Sequence, residues 1–185
     1  MAPAPPEARA HGWRRTLLAI AAVFVLPLLV GWYAYLTGRV PGTTSNYGTL
    51  IAPRLLSAQP FVALRGRWVL VHFDGGACDA RCEKKLYYMR QVRRAQGANA
   101  QRVERLWIVT DEAVPRGELL AAIEGTRIAR EGAPLAAEFP AGEALATHIW
   151  LVDPLGNLML RFPGNPDPGR MLKDLERLLK YSGFG

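Results

Sequence analysis

Apolar positions fall into two regimes along this chain: one unbroken run near the N-terminus, and then short runs that switch between strand and helix spacing. The stretch from Thr16 to Leu36 has no charged residue. At about 1.5 Å per residue it is long enough to cross a hydrocarbon core of about 30 Å, which predicts a transmembrane helix over 16–36. Trp13 at one end and Trp32, Tyr33 and Tyr35 at the other suit the two interfaces, and Pro27 kinks such a helix without forbidding insertion. A secretory signal peptide needs small residues in an Ala-x-Ala-like pattern after a short apolar core. Here the core runs straight into Val30-Gly-Trp-Tyr-Ala-Tyr35, which favours an uncleaved anchor.

Beyond the anchor the pattern predicts a regular order of elements. The β-branched run Trp68 to Phe73 reads as a buried strand at 67–74, and the spacing Cys82, Leu86, Met89 starts the stripe of a helix at 79–96. A strand at 103–110, a helix at 115–124 and a short strand from Thr126 to Arg130 follow. His148 to Asp153 and Asn157 to Phe162, joined by Asp153-Pro-Leu-Gly156, read as a β-hairpin. Asp167-Pro168 supplies the cap and first-turn proline of a last helix with the stripe Met171, Leu172, Leu175, Leu178, Leu179, ended by Gly183. Alternation first and a hairpin last predict an α/β domain, a mixed sheet with helices on both faces. Residues 37–60, rich in Pro, Gly, Ser, Thr and Asn, read as a tether, which leaves 61–185 as one compact domain.

Charge sets the orientation. Arg9, Arg14 and Arg15 precede the span against a lone Arg39 just after it, so residues 1–15 are expected in the cytoplasm and the domain outside. In a bacterium this is a single-pass inner-membrane protein with a periplasmic domain, in a space where cysteines can pair. The net charge of +7 favours an anionic membrane surface or an acidic partner. Nucleic acid is not expected, because Lys84, Lys85, Arg90, Arg93 and Arg94 read as the solvated face of one amphipathic helix.

The two cysteines, Cys78 and Cys82, sit where the strand gives way to the helix. Spacing of i and i+4 puts both sulfurs on one helical face, near enough to form a disulfide or clamp one metal ion. A cysteine at a helix N-terminus has its thiolate favoured by unpaired amides and the helix dipole, so Cys78 is expected to be the exposed nucleophile and Cys82 the resolving thiol. No phosphate loop, serine triad or carboxylate pair points to a hydrolase or nucleotide enzyme.

The element order, Gly66-Arg-Trp-Val-Leu-Val-His-Phe73 ahead of Cys78-x-x-x-Cys82, and Trp150-Leu-Val-Asp-Pro-Leu-Gly156 in the hairpin resemble thioredoxin-fold proteins. Among these the chain most resembles the Sco/SenC family of cytochrome oxidase assembly factors. The resemblance implies a copper site built from Cys78, Cys82 and a distant histidine. It also implies a role in delivering copper to the copper A site of cytochrome c oxidase, or in keeping its cysteines reduced. Glu83 stands where the family usually has proline after the second cysteine. Counting back from Gly156 puts Thr147 and His148 near the position of the thioredoxin cis-proline, which faces the cysteine turn.

Two thiolates and one imidazole suit copper, since soft sulfur selects Cu(I) and a nitrogen ligand lets the site accept Cu(II). His148, at a strand entrance, is the expected third ligand; His72 reads as a hydrogen-bonded core histidine, and His11 lies before the span. A closed zinc site normally needs four ligands, one more than can be named. Two other functions stay open. One is metal-free thiol–disulfide exchange with a periplasmic thiol protein, in which case the chain is an oxidoreductase; the other is a tethered assembly scaffold with an inert disulfide.

Overall fold

The computed structural model describes residues 10–37, 46–130, 132–140 and 144–183. Contacts divide the chain into two units, meeting between Ser45 and Asn46. The first holds α1 (Ala10–Leu36), a helix containing Pro27. Within it Trp13–Leu36 is long and apolar enough to cross a membrane, as the hydropathy pattern predicts. Residues 1–9 and 38–45, on which part of the orientation and tether readings rest, lie outside the described residues.

The second unit is built on a six-stranded sheet. Its strands are β1 (Thr49–Leu55), β2 (Trp68–Asp74), β3 (Val103–Val109), β4 (Arg127–Ala129), β5 (Ile149–Val152) and β6 (Asn157–Phe162), in the order β1-β6-β5-β2-β3-β4. β2, β3 and β4 run parallel, whereas β5, β6 and β1 pair antiparallel. The helices are α2 (Ala80–Ala95), α3 (Gly117–Ala122), α4 (Gly132–Ala137) and α5 (Pro168–Tyr181). The predicted α/β mixed sheet with flanking helices is therefore observed, with β1 and α4 added.

Part of the stretch expected to be a tether is built into the sheet. Thr49–Leu55 forms a strand against β6, from Thr49↔Arg161 to Leu55↔Asn157, with a bulge between Leu50 and Arg54. β1 lies at the end of the sheet and is exposed along nearly all its length, so it carries no buried alternating stripe by which sequence could betray it. The chain is fastened at its start: Asp174 Oδ2 accepts from the backbone N–H groups of both Tyr47 and Gly48 at 2.8 Å.

Alternation along the strands divides the core into two. Trp68 and Leu70 of β2, Val103 and Trp107 of β3, and Ile149 and Leu151 of β5 face α2, α3 and α5, meeting Cys82, Leu86, Met89, Leu119 and Leu175. Val69, Val71 and Phe73, Leu106 and Ile108, and Trp150 and Val152 face the other way. There they meet Leu135 of α4, Phe139, and Leu56, Phe61 and Leu64 from the segment before β2. α5 starts as expected, with Asp167 Oδ1 accepting from the N–H groups of Gly169 and Arg170 and Pro168 in the first turn.

Candidate functional site

The cysteine turn is set by local backbone chemistry. After Asp74 the chain turns at Gly75-Gly76, and Cys78 N–H closes the turn onto the Gly75 carbonyl at 3.1 Å. A Cβ on Gly76 would lie 1.9 Å from the Ala113 carbonyl oxygen, so only glycine fits there. Cys78 itself adopts φ +42°, a left-handed conformation that L-residues rarely take. Asp79 then caps α2, its Oδ1 accepting from the N–H groups of Arg81 and Cys82 at 2.9 Å.

Cys78 and Cys82 form a disulfide with Cα atoms 5.3 Å apart. Both are buried: Cys78 is 4% exposed and Cys82 fully enclosed, which corrects the expectation of an exposed Cys78. The reason is that Cys78 precedes the capping residue and its left-handed backbone turns its side chain into the core shared with Leu86 and Met89. The amides at the start of α2 bond the Asp79 carboxylate, and these bonds, led by that of Cys82, hold its pKa below the ordinary carboxylate value. The positive helix end is thus met first by a carboxylate, which offsets its pull on either thiol.

Beneath the disulfide lies a second group. Ligand atoms of His72, Asp74 and Cys82 all fall within 4.8 Å of one another. His72 and Asp74 follow Trp68 and Leu70 at two-residue intervals on β2, so both side chains point at α2. His72 is fully buried. Its Nδ1 lies 3.2 Å from the His148 carbonyl oxygen, and because a carbonyl only accepts, Nδ1 carries the proton and donates. The other nitrogen, Nε2, is buried without a hydrogen bond and stands 3.4 Å from Asp74 Oδ2. Burial works to raise the Asp74 pKa, but the His72 ring and the Gly75 N–H outweigh it and hold the carboxyl below its ordinary value.

Lys85 completes the surroundings. The sequence reading places it on a solvated face, yet it is buried and its Nζ donates to the Ala146 carbonyl. Burial lowers its pKa, opposed by the nearby Asp74 charge. Lys85, Asp74, Asp79 and Arg81 border a cleft of about 270 Å³, closed on the far side by Ala146, Thr147 and Gly164.

His148 is not part of this group. Its Nδ1 donates to the Phe162 carbonyl at 2.8 Å, and its ring meets Trp150 edge to face with centroids 5.7 Å apart. Strand parity explains this: His148 shares the face of Trp150 and Val152, opposite to the cysteines, while Thr147 reaches the cleft. Residue 148 contributes its carbonyl, which orients His72. The imidazole brought near the cysteines is that of His72, which is buried and hydrogen-bonded as its core reading expects, and not that of His148. His72 and Asp74 on one face of a strand leading directly to the cysteines were the available signal.

The domain-family model for a transmembrane-like, thioredoxin-like, C-terminal domain matches residues 68–182. The chain belongs to this family. No curated protein matches the sequence. Solved structures similar to this thioredoxin-like chain include Bradyrhizobium japonicum ScoI with copper bound, at 20% identity and TM-score 0.51 over 70% of this chain and 99% of that one. Apo Sco1 from Thermus thermophilus is similar at 16% identity and TM-score 0.55, over 74% and 99%. A putative protein disulfide isomerase from Bacteroides thetaiotaomicron is similar at 17% identity and TM-score 0.51, over 73% and 89%. At these identities the likeness is one of fold, and it bears out the resemblance to Sco proteins at that level.

Proposed function

We propose that this chain is a membrane-anchored copper and thiol factor whose domain stands in the periplasm and assists assembly of the copper A site of cytochrome c oxidase. The observation that carries the reading is the Cys78–Cys82 disulfide lying over a buried imidazole nitrogen that has no hydrogen-bond partner. Reduction by two electrons and two protons opens the disulfide to two thiols. With Nδ1–H committed to the His148 carbonyl, Nε2 is the His72 nitrogen left to face the same space and to offer a lone pair to a metal. The donor set becomes two sulfurs and one nitrogen, which fits copper: sulfur prefers Cu(I), and the imidazole extends the site to Cu(II). His72 takes the role expected of His148, its ring oriented by the Nδ1 bond to the His148 carbonyl, and the Asp74 carboxylate beside it balances the charge of a bound cation. The copper is cargo, received from one partner and passed to the oxidase subunit that bears the copper A cysteines.

The orientation follows from Arg14 and Arg15 ahead of the span, which favour a cytoplasmic N-terminus. The deciding measurement is anaerobic titration of the reduced chain with Cu(I) against a competing chelator, repeated on Cys78→Ser. Tight stoichiometric binding that the variant loses supports the reading, and equal binding by both removes it.

A second reading, thiol–disulfide exchange without metal, is favoured by the oxidised pair and by Asp74 and Lys85 beside it. A partner thiolate attacks Cys78, the less enclosed sulfur, releasing Cys82 as thiolate. The partner's second thiol then resolves the mixed disulfide, leaving the partner oxidised and this pair reduced. No copper binding, together with a defined two-electron potential for the pair, would select this reading.

A further inference from the structure

The last turns of α2 cover a second cleft, of about 400 Å³, about 15 Å further along the helix from Cys82. Arg90, Arg93 and Arg94 line it from α2, Arg105 from β3, and Glu124 and Gly125 from the turn before β4. Arg105 is unusual among these. It is 3% exposed, on the sheet face that α2 covers, where a charged side chain is rarely enclosed unless paired. Its Nη2 donates to the Glu124 carbonyl at 2.7 Å, whereas Nε and Nη1 have no hydrogen-bond partner.

The acid next to it in sequence gives little help. Glu104 points to the opposite face, where Arg67 and Arg127 already hold it. Burial, then the charges of Arg93 and Arg90, push the Arg105 guanidinium down to about 10, so it stays charged at neutral pH in surroundings that penalise the charge. Gly125, at φ +78°, lets the chain wrap the guanidinium closely: a Cβ there would sit 3.2 Å from Nη2. A buried cation without a carboxylate, beneath three more guanidiniums, is an arrangement completed by an anion.

We propose that this cleft binds a phosphate group carrying two or more negative charges, in the class of phosphate monoesters and pyrophosphates. Guanidinium forks match phosphate oxygens, and the excess of arginine over the single Glu124 carboxylate suits a multiply charged group better than a lone carboxylate. A soluble phosphorylated compound and a lipid whose headgroup ends in a phosphate monoester share this chemistry.

The test is calorimetric titration of the full chain, in uncharged maltoside micelles at low salt, with inorganic pyrophosphate. Dihexanoyl phosphatidic acid, whose headgroup is a phosphate monoester, forms a second arm and citrate a control of comparable charge. Pyrophosphate is expected to bind, and Arg90→Gln with Arg94→Gln to weaken it by about tenfold or more, each lost charge-assisted bond being of that order. Because Arg105→Met removes a buried group and can disturb folding, the two α2 positions carry the test. Arg105→Met is added where its circular dichroism matches the parent, and is expected to lose binding as well. Stronger binding of the short-chain lipid, lost in the double variant, would make the headgroup the source of the phosphate. Binding of neither ligand, binding unchanged in the double variant, or equal binding of citrate would overturn the proposal.

Discussion

The two faces of the sheet solve different problems with the same strands. Toward α4, β2 presents Val69, Val71 and Phe73, and Phe139 stacks edge to face on both Phe73 and Trp150 with centroids 4.7 and 5.4 Å apart. Toward α2 the same strand presents Trp68, Leu70, His72 and then Asp74, and β3 adds Arg105. One face is apolar apart from Glu104 and His148 at its margins and serves stability. The other gives up some apolar area to hold a histidine and an arginine of the sheet under α2, with Lys85 of that helix buried beside them, each at a desolvation cost that an ordinary core avoids. Chemistry in this domain is thus a property of a face rather than of a loop.

The contrast is sharpest for the sulfurs. Cys82→Ser is expected to abolish tight Cu(I) binding while leaving the far face intact, read by chelator competition alongside near-ultraviolet circular dichroism of the tryptophans. Loss of the tryptophan signal together with the metal would show that the faces are coupled. The reciprocal change, Phe139→Ala, should cost about 3–5 kcal/mol through lost burial and a cavity, measured by urea unfolding. Its copper affinity should stay within twofold of the parent, roughly the scatter of such measurements.

A finer cut separates the histidines. His72→Gln keeps a polar side chain on β2 but removes the imidazole, and Cu(II) affinity should fall by about tenfold to a hundredfold. His148→Gln should leave it nearly unchanged, because position 148 acts through its backbone carbonyl. The reverse ranking would restore His148 as the ligand. The smallest effect concerns acid. Asp74 is held below its ordinary value of 3.8, so the stability it contributes is complete above that value and is lost as pH falls through the lower folded one. Unfolding midpoints at pH 6 and pH 3 should therefore differ less in Asp74→Asn than in the parent.

Much of this architecture was legible because period and punctuation agree. Trp68 to Phe73 alternates into two cores. β1 was hidden because an exposed end strand buries no stripe. The site was half legible. Spacing identified the cysteines, but which imidazole joins them depends on strand parity near residue 148 and on the proton-bearing nitrogen of His72, neither of which is visible in residue types. Lys85 and Arg105 were obscured for a related reason: a long cationic side chain reads as solvent-facing until the structure shows what encloses its tip.

The irregular pairing of β1 has a bearing on how many copies can share a surface. A helix able to lodge in a lipid layer would confine the domains to two dimensions and raise their effective concentration. Crowding of that kind rewards any sheet end that offers a straight row of free amides and carbonyls to a neighbour. This end is interrupted between Leu50 and Arg54 and carries Pro53, which has no N–H to lend, while β4 at the opposite end spans only Arg127–Ala129. Both ends are poor templates, so the domain is guarded against zippering into its own kind.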